Sequence, residues 1–230
     1  QASEARVALW KRVLRVQSPN LHLITVSRTL ANEIEEDYGV TLSPAQHSVI
    51  HNVIDTELFR YEPKSVAQRT KILSIRPFAS RTYANDLTVA AILELSTRPW
   101  FDDLDFHLIG DGVLFTDTVA PLRPFPNVLV ERRFVRQDEI AALHRRHGIF
   151  LCPTRMDSQG VSRDEAMASG LVPITTRISA VPEFVDATCA FLAPPEDAKA
   201  LAAAIEALYL DPGLFERMSE AAAQRVRRDR

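Results

Sequence analysis

The chain has 230 residues, enough for one large domain or a domain plus part of another, and enough to bury a core without disulfide staples. Its 46% hydrophobic and 25% charged residues are ordinary for a soluble globular protein, and a net charge of −3 gives no reason to expect nucleic acid as the main partner. No apolar run reaches the roughly 18 residues that a membrane-spanning helix needs, and no stretch of these residues reads as a signal peptide. Cys152, in an apolar run, and Cys189, in "DATCAFL", read as buried free thiols, which suits a reducing cytosol.

Taken in chain order, "SEARVALWKRVLRVQ" (residues 3–17) sets Val7, Trp10, Val13 and Leu14 on one side and Arg6, Lys11, Arg12 and Arg15 elsewhere. That pattern predicts a basic amphipathic helix, which either packs on the protein or lies on an anionic membrane. "LHLITVS" (Leu21 to Ser27) predicts a buried strand, with Ser27 capping a helix over "RTLANEIEEDY" that stops at Gly39. "HSVIHNVID" (His47 to Asp55) predicts a short strand, and "FRYEPKSVAQRT" a polar linker.

From Lys71 apolar strands alternate with amphipathic helices. Strands are predicted over "KILSI", "DFHLIG", "NVLVE", "GIFLCP" and "LVPITT". Helices are predicted over "NDLTVAAILELS" with Asn85 as its cap, "QDEIAALHRRH", "SRDEAMAS", the short "VPEFVD", and two long segments from Pro195 to Arg230. The alternation predicts a Rossmann-like α/β fold, a parallel sheet with helices on both faces. Of only seven glycines, Gly110, Gly112, Gly160 and Gly170 fall at strand–helix junctions.

Folds of this kind bind ligands at the carboxyl ends of their strands. The rule selects three loops, Arg76 to Arg81, Gly110 to Gly112, and Asp157 to Glu165. At Gly160 the backbone can approach a ligand closely, and the amides of Gly160, Val161 and Ser162 open a helix, which favours an anion such as a diphosphate. Glu165, one turn in, suits hydroxyls such as those of a ribose, and Asp157 those of a second sugar. The alternative is a capped helix with two solvated acids. Arg76 and Arg81 suit phosphate oxygens, or are surface arginines. Arg132, Arg133 and Phe134 either line a nucleobase pocket or alternate between surface and core.

The block "DSQGVSRDEAMASGLVP" resembles, in register, the signature of the C-terminal half of family 4 glycosyltransferases with the GT-B fold, two glutamates with seven residues between them followed by "AMA-G-PV". "VIHNVIDTELF", "TVSRTLANEI" and "AVPEFVD" resemble flanking blocks of that family, so the likeness runs from Ile24 to Arg227. It implies that Glu165 holds the ribose, Asp157 the donor sugar, and Arg76 and Arg81 the diphosphate, with Phe134 near the base. The departures are Asp157 for glutamate, Arg81 for lysine, Val53 for a glycine, and Ser179-Ala180 for a glycine pair.

The same resemblance implies a retaining, metal-independent hexosyltransferase of polysaccharide biosynthesis. It would act in the cytoplasm, at the inner membrane face if the first helix contacts lipid. It would transfer sugar from a nucleoside diphosphate to a glycan, lipid or small acceptor. Residues 1–62 would be the end of an acceptor-side domain and linker, and 63–230 the donor-binding domain. A chain that starts at Gln1 would then be a fragment lacking the acceptor domain and inactive alone. The rival readings are a glycoside hydrolase using Asp157 and Glu165, a nucleotide-sugar epimerase, and a non-catalytic nucleotide-sugar-binding or assembly domain.

Overall fold

The computed structural model describes residues 4–16 and 20–229. The first segment folds as helix α1 (Glu4–Leu14), strand β1 (Leu23–Thr25), helix α2 (Arg28–Tyr38) and strand β2 (His47–Val49), the two strands pairing in parallel. Of the helix expected over residues 3–17, Ser3 and Gln17 lie outside the described residues. Leu14, Leu23, Ile34 and Tyr38 pack against a small core of Ala31, Val40 and Leu42. Ser27 caps α2 as expected, its Oγ accepting the Leu30 amide at 3.1 Å, and Gly39 ends the helix in a left-handed conformation. Strand β2 stops well before Asp55. Among the described residues its one partner strand ends at Thr25, and the Ile50 amide makes the last bond, to the Thr25 carbonyl.

A 3-10 turn (Val66–Thr70) closes the polar linker and leads into β3 (Lys71–Ile75). There follow α3 (Asn85–Leu95), β4 (Asp105–Gly110), α4 (Phe115–Val119), β5 (Val128–Arg132), α5 (Gln137–Arg146), β6 (Ile149–Leu151) and α6 (Val161–Ala168). The chain ends with β7 (Val172–Thr176), α7 (Val181–Phe184), β8 (Phe191–Ala193), α8 (Ala198–Leu210) and α9 (Pro212–Asp229). Strands β3 to β8 form one parallel sheet in the order β5-β4-β3-β6-β7-β8.

The two-residue period of the strands divides the core between the faces. Ile72, Phe106, Leu108, Ile149, Leu151, Val172 and Ile174 join Leu87 and Ile92 of α3 and Leu201 and Ile205 of α8. Leu73, Ile109, Phe150 and Cys152 point the other way, to Leu143 of α5 and Ala166 of α6. Both faces are therefore apolar, as parallel strands between two helical layers require. Cys152 and Cys189 are free and buried. Among the described residues no helix is long and apolar enough to cross a membrane.

One expected cap is corrected. The residue before α3 is Ala84, at φ 48 and without a side-chain cap bond, and Asn85 is the first helical residue. A 3-10 turn (Arg81–Tyr83) runs straight into the helix, so Asn85 turns back and donates from Nδ2 to the Pro77 carbonyl at 2.8 Å. It pins the loop after β3 instead of capping the helix.

Candidate active site

The sheet order reverses beside β3. The chain leaves β3 for β4 and β5 on one side, then returns to lay β6, β7 and β8 on the other. The loops after β3 and β6 therefore diverge at the carboxyl edge, where such sheets leave a crevice. Arg76 follows β3 directly and Asp157 to Gly160 follow β6, so two of the three predicted loops face each other.

Arg76 crosses the gap. Its Nη1 donates to Ser162 Oγ, in the first turn of α6, at 3.2 Å, and its guanidinium lies 5.2 Å from the centre of the Tyr83 ring. Only 8% of Arg76 is exposed, its buried Nε has no hydrogen-bond partner, and among the described residues no carboxylate pairs with it. A buried cation without a counter-charge is costly. Its placement at a helix N-terminus, already the positive end of the dipole, makes an anion the complementary ligand.

The backbone that carries Arg76 is braced by the third predicted loop. A Cβ on Gly110 would stand 2.0 Å from the Arg76 carbonyl oxygen, so only a glycine allows the two strands' ends to close in. The Phe78 amide then donates to the Asp111 carbonyl at 2.8 Å, and the Leu114 amide to the Phe78 carbonyl at 3.0 Å. The Gly110–Gly112 turn is a support. Arg81 stands further along the same loop on the 3-10 turn, exposed, and its guanidinium takes no hydrogen bond or ion pair among the described residues.

On the opposite wall Gly160 is the N-cap of α6 at φ 91, and Val161 and Ser162 open the helix as expected. Asp157 is half-buried. Its Oδ1 accepts the Gln159 amide at 3.1 Å and its carbonyl the Ala180 amide at 3.1 Å. Glu165 is half-buried on the second turn, and among the described residues its carboxylate accepts no hydrogen bond. Desolvation, and then the negative charge of Asp164, push its pKa up to about 7. A carboxyl so perturbed, on the helix whose first turn meets Arg76, marks a candidate site.

Phe134 stands apart on the loop after β5, 86% exposed, with Val135 buried beside it. Its neighbours are engaged elsewhere, Arg132 with Asp111 at 2.7 Å and Arg133 with Glu131 at 2.5 Å and Glu139 at 2.6 Å.

Several contributors were not visible in the sequence. Arg163 and Asp164 form a buried ion pair at 2.8 Å beneath the Asp157–Gly160 loop, 3% and 1% exposed. Arg163 also donates to the Gln159 carbonyl and lies 5.6 Å from the Phe184 ring centre. The first segment reaches the site too. Gln159 is bonded to Asn52, and Glu183 accepts the amides of Arg28 and Thr29, both at 2.9 Å, at the start of α2. Burial opposes ionisation of Glu183, yet those amides, the Thr29 hydroxyl and His51 hold its carboxyl below the usual range.

This strand order and helical cover are those of a Rossmann-like domain, and comparison with known proteins identifies it as the C-terminal half of a GT-B glycosyltransferase. The chain belongs to the family described as Glycosyl transferases group 1, which matches residues 69–211. It is 27% identical over 231 aligned positions to the MMP alpha-(1->4)-mannosyltransferase of Mycolicibacterium hassiacum, covering 96% of this chain and 52% of that protein. It is 28% identical to the gpi3 subunit of the Schizosaccharomyces pombe phosphatidylinositol N-acetylglucosaminyltransferase, over 76% of this chain and 38% of that one. The chain thus spans about half, or less, of the curated relatives it matches.

Among solved structures, sucrose-phosphate synthase from Thermosynechococcus elongatus superposes with a TM-score of 0.79 at 19% identity, over 99% of this chain and 58% of its own. The Anabaena protein HepE, solved with UDP and glucose, gives 0.78 at 16% identity, over 99% and 63%. At such identities the structural likeness speaks for the fold.

Proposed function

We propose that this chain is the donor-binding half of a retaining glycosyltransferase, taking a nucleoside-diphosphate sugar at the crevice between the loops after β3 and β6. The observation that carries this reading is Arg76, a buried guanidinium with an unpaired Nε and no carboxylate partner, held 3.2 Å from Ser162 at the start of α6. In this reading Arg76, Arg81 and the amides of α6 bind the diphosphate and stabilise the negative charge that develops on it as the sugar leaves, so no metal is required for that task. Glu165 accepts the ribose hydroxyls, Asp157 faces the donor sugar, and Phe134 lies toward the base. Residues 63–230 form the donor domain and 1–62 belong to the acceptor side. The acceptor is a glycan, lipid or small molecule met at the cytoplasmic side.

The test is calorimetric titration with UDP, GDP, ADP, dTDP and CMP, without metal, for the chain and for Glu165→Ala. Saturable binding of one nucleotide, lost or strongly weakened in the variant, is the expected result. Heat that does not saturate with any of the five removes the reading.

One observation favours a second reading, binding without transfer. The Asp157 carboxylate, already one methylene shorter than the glutamate of the resemblance, is engaged by the Gln159 amide. That reading expects nucleotide binding of the same strength but no sugar transfer by the full protein.

A further inference from the structure

Of the two arginines assigned to the diphosphate, Arg76 is locked by Ser162 and Tyr83, whereas the Arg81 side chain takes no hydrogen bond or ion pair among the described residues. What fixes Arg81 is its backbone, and that backbone is gripped by Arg155. Arg155 Nη1 donates to the Arg81 carbonyl at 2.8 Å, and the Arg155 amide to the Thr82 carbonyl at 2.8 Å. The same guanidinium forks onto Asp86 at the start of α3, Nη1 to Oδ1 and Nη2 to Oδ2, both 2.8 Å. A second fork takes Glu196, Nε to Oε1 at 2.6 Å and Nη2 to Oε2 at 2.7 Å. Glu196 sits on the loop after β8 at φ 60, a left-handed backbone that a non-glycine residue keeps only where its surroundings hold it. One side chain therefore ties together loops from β3, β6 and β8.

Charge adds a second reason. Asp86 and Glu196 lie at the same edge as Arg81, and the Asp86 carboxyl is held below its usual range by its Arg155 hydrogen bonds and, in smaller part, by the Arg81 charge. Without Arg155, Asp86 and Glu196 lose their partner and Asp86 is left to draw the Arg81 guanidinium onto itself.

We propose that Arg155 is a positioning residue for the donor diphosphate: it fixes the turn that carries Arg81 and neutralises the two carboxylates that would otherwise compete for it. This rests on the donor-site reading above.

The test is a double-mutant cycle on the dissociation constant of whichever of UDP, GDP, ADP or dTDP binds tightest, measured for the chain, Arg155→Ala, Arg81→Ala and the pair. Arg155→Ala is expected to weaken binding about tenfold, and by less than about twofold once Arg81 is already alanine, because an effect routed through Arg81 cannot be lost twice. An equal loss on both backgrounds, or no loss at all, overturns the proposal while leaving the donor site standing. Absence of nucleotide binding by the unaltered chain instead removes the donor-site reading and this one with it. Should Arg155→Ala fail to fold, Arg155→Lys enters the same cycle. It keeps the charge but cannot make both forks, so weakening that depends on Arg81 supports the proposal and wild-type affinity overturns it.

Discussion

Asn52 and Gln159 are joined by three hydrogen bonds: Gln159 Oε1 accepts the Asn52 backbone amide at 2.7 Å and its Nδ2 at 2.9 Å, and Gln159 Nε2 donates to the Asn52 carbonyl at 3.0 Å. The pair fastens the first segment to the loop that opens α6. Gln159 is 1% exposed, and its loss removes all three bonds at once. Gln159→Ala should cost about 1–3 kcal/mol, read as a fall in Tm of several degrees and faster hydrogen exchange at the Asn52 amide. An unchanged melt and unchanged exchange would show that the pair holds nothing.

Arg76 makes a prediction of opposite sign for stability and function. Arg76→Met keeps the volume and removes the uncompensated buried charge, so the unliganded protein should hold or gain about 1 kcal/mol. The same change should weaken nucleoside diphosphate binding by about 100-fold or more, as loss of an anion-stabilising donor does. Exposed Arg81 should behave differently, Arg81→Ala weakening binding with Tm unmoved. Thermal melts beside titrations check both. A large drop in Tm for Arg76→Met would reassign Arg76 to the scaffold.

Glu165 predicts a pH dependence. Its pKa is raised from the usual value to about 7, so its stabilising contribution is complete below about pH 4.5 and lost as pH rises through 7. Replacing it with Glu165→Gln should leave stability alike at pH 4 and raise it at pH 8. Solvent around the exposed part of the side chain limits the gain to about 1–2 kcal/mol. Melting curves of the two proteins that run parallel from pH 4 to pH 8.5 would contradict this. Nucleotide affinity of the unaltered chain should change across the same interval, since the ribose meets an acid below it and a carboxylate above it.

Gly160 combines two constraints. At φ 91 any side chain is strained, and a Cβ would stand 2.7 Å from Arg163 Nη1, pressing on the buried pair with Asp164. Gly160→Ala should cost about 1–3 kcal/mol in stability and weaken nucleotide binding further by tilting the first turn of α6. Chemical denaturation and titration measure the two effects separately. Wild-type values in both would mean that the loop relaxes freely.

The sheet was legible because its strands are buried on both faces. "KILSI" and "DFHLIG" became β3 and β4 residue for residue, and "LVPITT" became β7 without its leading Leu171. Strand β8 was not seen because its three residues pair only with β7 at the sheet's edge, and α4 because five residues are too few to show a period. The candidate site was legible by type. Arg76 meets Ser162 beside the Gly160 N-cap of α6, but that bond exists only because β3 lies beside β6. Arg155, Arg163 and Asp164 stayed hidden for one reason. Charged residues at a helix start or on a loop look solvated, and only the folded chain supplies the carboxylates, carbonyls and ring that engage Arg155 and Arg163.

The position of β3 between β4 and β6 has a temporal consequence. Arg76 and Ser162 are 86 residues apart in the chain. At a synthesis rate of about 5–20 residues per second, the loop after β3 therefore waits roughly 4–17 s for the helix it must face. During that interval β3 has β4 on one side and an open apolar edge on the other, a template for pairing with the wrong strand. The crevice therefore cannot close until β6 and α6 have followed β4 and β5 out of the ribosome, with β7 and β8 still to add.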